Sequence, residues 1–180
     1  EVRIAIDALD KQLLVLLNER ARLALKVGEI KAADQAPVYR PEREAQVVAR
    51  LTGLNEGPLA ASAIATIWRE VMSACRSLER RPRVAYLGPA GTFSEQAVHQ
   101  QFGHEVDALP CVSIDEVFRA TEADSADFGV VPVENSTEGA VNRTLDLLQQ
   151  SPLIVSGEIT VMVRHILMTA SGTMTGIARI

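Results

Sequence analysis

The sequence predicts two unlike domains, an all-α domain of three helices followed by an α/β domain with a parallel sheet. Residues 1–33 contain no proline, and their apolar side chains recur at three- and four-residue spacing, which is the helical period. Two further helical segments follow, each preceded by prolines or glycines that interrupt the pattern. From Arg83 onward, short apolar runs alternate with helical segments, which is typical of parallel βαβ units. The charged segment 80–82 is the predicted boundary between domains 1–80 and 83–180.

Composition excludes several classes of protein. The chain has 180 residues, 47% of them apolar, and a net charge of -5, which argues against disorder and against a general nucleic-acid surface. Cys75 and Cys111 lack the spacing of a metal site or a disulfide framework, as expected in a reducing compartment. No apolar run reaches transmembrane length and no signal peptide is visible, so we expect a cytoplasmic protein. Because the chain does not begin with methionine, we also expect it to be a fragment.

The first predicted helix, residues 1–33, is roughly 45 Å long at ~1.5 Å per residue, too long for so small a segment to cover. Arg20 and Lys31 are eleven residues apart, which places them on one helix face together with the apolar stripe. Arg3 precedes Arg20 by seventeen residues and points about 100° away, so it cannot serve the same pocket from the same chain. This pattern predicts a homodimer with anion sites between helices.

The remaining elements follow from turn and capping signals. We predict helices over Pro41–Leu51 and Leu59–Leu78 in the first domain. In the second domain we predict strands over 84–87, 105–109 and 127–133, and extended chain over 153–155 and 158–167. We predict two capping boxes, Thr92-Phe93-Ser94-Glu95 and Ser113-Ile114-Asp115-Glu116, which begin helices that end at about residues 102 and 123. We also predict a third helix from Thr137 to Gln150. The turns 88–94 and 134–139 occupy the strand ends where parallel sheets bind ligands.

The first domain resembles the all-helical chorismate mutase family. The matching stretches are Arg3, Ile6-Asp7-Ala8-Leu9-Asp10, Asn18-Glu19-Arg20, Val27-Gly28-Glu29-Ile30-Lys31, Pro37-Val38 and Glu42-Arg43-Glu44. The second domain resembles prephenate dehydratase through the stretches Ala85-Tyr86-Leu87-Gly88-Pro89-Ala90-Gly91-Thr92-Phe93-Ser94 and Val131-Pro132-Val133-Glu134-Asn135-Ser136. Their order matches the bifunctional chorismate mutase–prephenate dehydratase family. The resemblance implies a three-helix mutase domain followed by the first lobe of a periplasmic-binding-like dehydratase domain.

The mutase resemblance implies a Claisen-type rearrangement of chorismate to prephenate, without a metal or cofactor. Such a catalyst holds one compact conformer and stabilises charge on the ether oxygen. By resemblance, Arg20 and the partner chain's Arg3 grip the substrate carboxylates, and Lys31 binds a carboxylate and the ether oxygen. Arg43 supports the site and Glu44 accepts the substrate hydroxyl.

Three positions depart from the mutase pattern. Arg40 stands where the family often has aspartate, Cys75 where it has serine, and Glu79 where it has glutamine. An ionised Glu79 would repel the charge that develops on the ether oxygen. We therefore hypothesise that Glu79 acts as a neutral donor and that mutase activity falls as pH rises.

The dehydratase resemblance implies conversion of prephenate to phenylpyruvate. The residues implied in substrate binding are Gly91, Thr92, Ser94, Asn135 and Ser136, at helix N-termini. The family's Thr-Arg-Phe motif and the Glu-Ser-Arg-Pro motif of its regulatory ACT domain do not occur in this sequence. We therefore expect about one dehydratase lobe and no appreciable dehydratase activity from this chain.

Other interpretations remain open on the sequence. Arg20 and Lys31 are also compatible with ordinary snorkelling side chains, and Thr92, Ser113 and Asn135 with helix caps. Two rivals to the bifunctional enzyme are a non-catalytic small-anion-binding module with a helical dimerisation domain, and a mutase whose appended lobe binds nothing. We expect a core role for Trp68, Met72 and Cys75, surface positions for His99 and His104, and a structural role for His165.

Overall fold

The computed structural model describes residues 1–33, 39–136 and 139–164, without the side chains of residues 31–33. The chain begins with three helices, α1 (Val2–Ala33), α2 (Pro41–Gly53) and α3 (Ala61–Ser77). α3 packs against both α2 and α1. The three predicted helices are confirmed, and none of their ends differs from the prediction by more than two residues.

α1 is the least covered of the described helices. Its 32 residues span about 48 Å, whereas the 17 residues of α3 span about 26 Å. Residues 1–19 are exposed throughout. Large apolar side chains are more than half exposed on this helix, including Val2, Ile4, Leu9, Leu13, Leu16 and Leu23.

The α/β part is built on a three-stranded sheet. Its elements are β1 (Arg83–Leu87), α4 (Phe93–Phe102), β2 (Asp107–Cys111), α5 (Ile114–Glu122), β3 (Phe128–Val130), β4 (Glu134–Asn135), β5 (Gly139–Ala140) and α6 (Asn142–Gln150). The sheet order is β2-β1-β3, and both pairings are parallel. Val84 on the central strand lies opposite Ala108 and Phe128. The predicted parallel βαβ arrangement is therefore confirmed.

Several predicted boundaries in this part are wrong. β2 begins two residues later than predicted, and β3 ends at Val130, shortly before Pro132, which has no N–H to donate to a ladder. The helix predicted from Thr137 begins only at Asn142, because the short antiparallel hairpin β4–β5 precedes it. The segments predicted as extended chain, 153–155 and 158–164, do not pair with the sheet, and residues 165–167 lie outside the described part.

The all-α segment and the sheet share one hydrophobic cluster. Tyr39, which precedes α2, packs with Val84 and Phe102, and its ring centroid lies 4.9 Å from that of Phe102 and 5.2 Å from that of Phe128. A second cluster on the sheet contains Ala85, Cys111, Val117 and Ala126. Tyr39 therefore belongs to the core of the α/β part, although its position in the chain is within the helical part.

The predicted linker is held against the sheet. Arg80 forms an ion pair with Asp127 at 2.8 Å, and Arg81 forms one with Glu105 at 2.6 Å. Pro82 is buried.

Among the described helices, none is both long enough and apolar enough to span a membrane.

Candidate active sites

The first candidate site is the seam between α1 and α3. At one end, the Arg20 guanidinium lies over the Trp68 ring, 5.8 Å from its centroid, within the range of a cation–π contact. At the other end, the Glu79 carboxyl lies on the buried backbone of Gly28, and a Cβ at position 28 would overlap it. Arg20 and Gly28 are about 12 Å apart along the helix axis. The seam therefore has a cation at one end and a carboxyl group at the other.

Helical spacing relates other predicted residues to this seam. Lys31 follows Arg20 by eleven residues in α1, which is the separation that returns a residue to the same face. Its backbone lies in α1, and its side chain is outside the described part. Cys75 is only 6% exposed and precedes Glu79 by four residues. The core position predicted for Cys75 agrees with this burial.

Arg3 is not brought to the seam of its own chain. It lies seventeen residues before Arg20 in the same continuous helix, about 26 Å along the axis, and it is exposed. A role for Arg3 beside Arg20 thus requires a second copy of the chain, and the described contacts leave that role a prediction.

The predicted residues of α2 have different surroundings. Arg43 is exposed, and Arg40 is the exposed residue before Pro41 at the start of the helix. The Glu44 side chain is 20% exposed and forms an ion pair with Arg76 of α3. No sequence pattern indicated this pair, because an arginine in an amphipathic helix usually reaches solvent.

Arg76 is a buried junction between three elements. It donates to the Glu44 carboxylate and to the backbone carbonyl of Phe102 at the end of α4. Its guanidinium also lies over the Tyr39 ring, 4.7 Å from the centroid. Burial raises the pKa of Tyr39 to about 12, and the neighbouring Glu44 charge contributes to the rise while Arg76 opposes it.

The second candidate site is the turn between β1 and α4. Gly91 has φ of +82°, a conformation that favours glycine, and its N–H donates to the Glu95 carboxylate at 2.6 Å. The Tyr86 hydroxyl donates to the same carboxylate at 3.0 Å. The hydrogen bond from Gly91, followed by that from Tyr86, holds the pKa of Glu95 below its usual value. This carboxylate at the start of α4 was not among the predicted site residues.

The capping box predicted at Thr92 is wrong. Thr92 is the residue before α4, but its side chain does not cap the helix and instead donates to the Leu87 carbonyl at 3.3 Å. Ser94 lies in the first turn and is partly buried. By contrast, Ser113 accepts a hydrogen bond from the Glu116 N–H at 3.2 Å, as predicted. The Glu95 carboxylate accepts from the Gly91 N–H, one residue before Thr92, and does not replace the missing side-chain cap.

Asn135 and Ser136 are not at a helix N-terminus. Asn135 lies in β4 and Ser136 in the turn that follows, both exposed, whereas α6 begins at Asn142 after Val141. The prediction that Asn135 caps a helix is therefore wrong. These two residues present their polar groups from a hairpin.

An open cleft of about 510 Å³ separates α3 from the first turns of α4. It is lined by Thr66, Arg69, Glu70, Gly91, Thr92, Phe93, Glu95, Gln96, His99, Gln100 and His104. His99 and His104 stack with ring centroids 4.5 Å apart, and His104 Nδ1 is 2.9 Å from Glu70 Oε1. His99 is partly buried, so its predicted surface position is only partly right, while His104 is exposed.

Two protein families match the chain, one on each side of residues 81–83. The chorismate mutase type II family matches residues 2–80, and the prephenate dehydratase family matches residues 84–180. The second match covers more than half of the chain.

Curated relatives match both parts together. A bifunctional chorismate mutase/prephenate dehydratase of Stutzerimonas stutzeri is 48% identical over 97% of this chain and 49% of its own length. Proteins of the same description from Aquifex aeolicus and Escherichia coli are 42% and 32% identical, over 100% and 96% of this chain and 51% and 49% of their own lengths. The chain thus spans about half the length of these relatives. A solved structure of a chorismate mutase from Thermus thermophilus shares 32% identity over 41% of this chain and 92% of its own, with a TM-score of 0.41.

Proposed function

The chain belongs to the prephenate dehydratase family, with a chorismate mutase type II segment ahead of it, and we propose that this segment converts chorismate to prephenate at the α1–α3 seam. The observation that carries the proposal is the meeting of α1 and α3 between Arg20 and Glu79. We also propose a division into a mutase domain, residues 1–80, and part of a dehydratase domain, residues 83–180, and the two family matches support it.

The chemistry of the rearrangement suits the groups at this seam. Chorismate carries two carboxylates, and its reaction needs a fixed conformer and electrostatic stabilisation rather than a covalent intermediate. Arg20 has the planar fork that binds a carboxylate through two hydrogen bonds. Lys31, on the same face of α1, binds the second carboxylate and the ether oxygen in this proposal. Arg43 supports the bound carboxylate, and Glu44 accepts the hydroxyl.

Glu79 has a separate role in the proposal. It lies at the α3 side of the seam, against Gly28, where a hydrogen-bond donor would face a substrate held by Arg20 and Lys31. A neutral carboxyl group donates to the ether oxygen, whereas an ionised one repels the charge that forms there. Cys75, one turn earlier and buried, shapes the wall of the pocket.

A homodimer completes the proposed site. The exposed residues 2–19 of α1 include many large apolar side chains, and a contiguous surface of this kind favours a partner. A second copy of α1 supplies matching apolar surface, and it brings Arg3 to the Arg20 end of the seam. The site then has one more cation for the substrate carboxylates than a single chain offers.

The α/β part is proposed to form one lobe of a prephenate site. Thr92 and Ser94 at the start of α4, with Asn135 and Ser136 in the hairpin, supply the polar groups. The Gly91 N–H already has a partner within the chain, so Gly91 contributes to the shape of the turn, while the Thr92 hydroxyl donates to Leu87 and keeps its acceptor capacity. Since the chain spans half the length of its relatives, we propose that dehydratase activity requires more chain than these residues provide.

The rival interpretations lose support from the same findings. A non-catalytic anion-binding module does not account for the match of residues 2–80 to a mutase family.

The free thiols of Cys75 and Cys111 fit a reducing compartment, and a cytoplasmic location is part of the proposal.

The test is to follow chorismate loss by absorbance with the purified full chain and to identify the product. We expect turnover to prephenate by the wild-type protein and its loss in Lys31→Ala, with Lys11→Ala, on the exposed first half of α1, as the matched control. A folded dimer that leaves chorismate unchanged would contradict the proposal.

A further inference from the structure

The Arg76 guanidinium is a charged group that is almost completely buried, and this burial requires a physical explanation. Its side chain is 4% exposed, and an isolated charge removed from water is strongly unfavourable unless it is paired. Arg76 Nε is moreover the one buried side-chain polar atom without a hydrogen-bond partner among the described residues. Packing alone would be better served by an apolar side chain at this position.

The contacts of Arg76 fix the orientation of its guanidinium group. One terminal nitrogen donates to the Glu44 carboxylate of α2, and the other donates to the Phe102 carbonyl at the end of α4. The Tyr39 ring, 4.7 Å from the guanidinium, covers one of its faces. Because the guanidinium is planar, two anchored nitrogens and a covered face leave it a single orientation.

Holding the helices to the sheet does not require this arrangement. Arg80 and Arg81 already connect the end of α3 to Asp127 and Glu105 through ion pairs in which both arginine side chains are 55% exposed. Those pairs join the two parts of the chain with little cost in desolvation. Unlike them, Arg76 reaches Glu44, which is the residue assigned above to the substrate hydroxyl.

We propose that Arg76 is a positioning residue for the mutase reaction, which holds the Glu44 carboxylate in place for the substrate hydroxyl and anchors it to the end of α4. This inference rests on the proposed function, since it concerns the assigned role of Glu44. It adds a dependence that no family match supplies: the geometry of the mutase site is tied to a backbone carbonyl of the α/β part.

The predicted kinetic signature is a change in KM rather than in kcat. Glu44 is proposed to bind a hydroxyl that is present in both substrate and transition state, so losing its orientation weakens both equally. We expect Arg76→Met to raise KM for chorismate about 10- to 100-fold, the range for a lost hydrogen bond to a charged group, with kcat changed less than about threefold. Arg80→Met, which removes the exposed pair with Asp127, is the matched control and is expected to retain wild-type kinetics.

Two further variants separate positioning from general support of the fold. Arg76→Lys keeps a charge beside Glu44 without the planar fork, so its KM is expected to lie between those of wild type and Arg76→Met. In a Glu44→Gln background, Arg76→Met is expected to change KM by less than about threefold, because the group that it positions is already altered. Circular dichroism and thermal unfolding establish that each variant is folded. Should Arg76→Met fail to fold, Arg76→Lys, alone and with Glu44→Gln, carries the comparison.

The outcomes distinguish this inference from the proposed function. If the wild-type chain does not turn over chorismate, the proposed function fails and the inference fails with it. If the wild type is active and the folded Arg76 variants behave like Arg80→Met, the inference alone is overturned. Equal effects of Arg76→Met with and without Glu44→Gln would also overturn it, since Arg76 would then act independently of Glu44.

Discussion

The Glu79 carboxyl group occupies the space above Gly28 where any other residue would carry its Cβ. This contact joins the end of α3 to the second half of α1, where the described structure packs α1 against another helix. A substitution at position 28 would therefore displace the Glu79 carboxyl group while leaving Glu79 itself in the sequence.

Gly28→Ala should impair catalysis more than stability. The new methyl group displaces the free end of the Glu79 side chain, which is flexible, while alanine in a helix is favoured over glycine by about 0.5–1 kcal/mol. We expect kcat/KM for chorismate to fall at least about tenfold, with the unfolding midpoint unchanged or raised. Gly53→Ala is the control, because a Cβ there meets nothing within 4 Å. If the two variants are equally active, the contact between Gly28 and Glu79 does not contribute to catalysis.

Mixed dimers test the proposed exchange of Arg3 between subunits. Arg3→Ala and Lys31→Ala should each be inactive as homodimers, because every site then lacks a cation. Random mixing of the two should restore roughly one quarter of wild-type activity, since half of the dimers then contain one intact site of their two. The measurement is chorismate turnover after denaturation and refolding of the mixed proteins. No recovery from mixtures that contain heterodimers would place Arg3 outside the partner's site.

Gly103→Ala should destabilise the contact between α3 and α4. Gly103 ends α4 with φ of +77°, and a Cβ there would overlap the Ser73 side chain. Backbone strain and overpacking together predict a loss of about 2–4 kcal/mol in the free energy of unfolding. Urea unfolding measures it, with Gly139→Ala as the control, since Gly139 shares the positive φ but has open space around it. If Gly103→Ala lowers the free energy of unfolding no more than Gly139→Ala does, the Ser73 side chain moves aside without cost and the predicted overpacking is wrong.

Glu95→Gln should reduce the sensitivity of stability to acid. The pKa of Glu95 is lowered in the folded protein by the Gly91 N–H and then by the Tyr86 hydroxyl. A depressed folded-state pKa gives stability that is present above the unfolded-state value of about 4.5 and is lost as pH falls below it. Wild type should therefore lose more stability than Glu95→Gln on acidification, with Glu56→Gln, in the exposed loop after α2, as the control. Parallel acid curves for wild type and Glu95→Gln would contradict the assignment.

The sequence predicted elements whose signals are local and periodic. The apolar spacing of α1 and α3, the proline at the start of α2, and the alternation of short apolar runs with helices were sufficient for three helices and a parallel sheet. The two-residue strands of the β4–β5 hairpin were missed because they are too short to show a period. The same Ser/Thr-x-x-Glu pattern produced a cap at Ser113 but not at Thr92, whose hydroxyl is directed to the Leu87 carbonyl.

For the candidate sites, too, local relationships could be predicted from the sequence, whereas contacts between distant residues could not. Positions along one helix, such as Arg20 and Lys31, could be related by counting residues. The contacts of Arg76 with Glu44 and Phe102 join residues 32 and 26 positions apart, and no local pattern encodes them. Tyr39 likewise enters the core of the α/β part from a segment far from it in sequence.

The most direct test of the proposed mutase site is the pH dependence of chorismate turnover by wild type and Glu79→Gln, from about pH 5 to about pH 8. If Glu79 is the neutral donor at the seam, wild-type kcat/KM falls as pH rises, whereas Glu79→Gln, which donates at every pH, gives a flat profile and remains active. A Glu79→Gln variant that is folded but inactive across the whole range would contradict this role for Glu79.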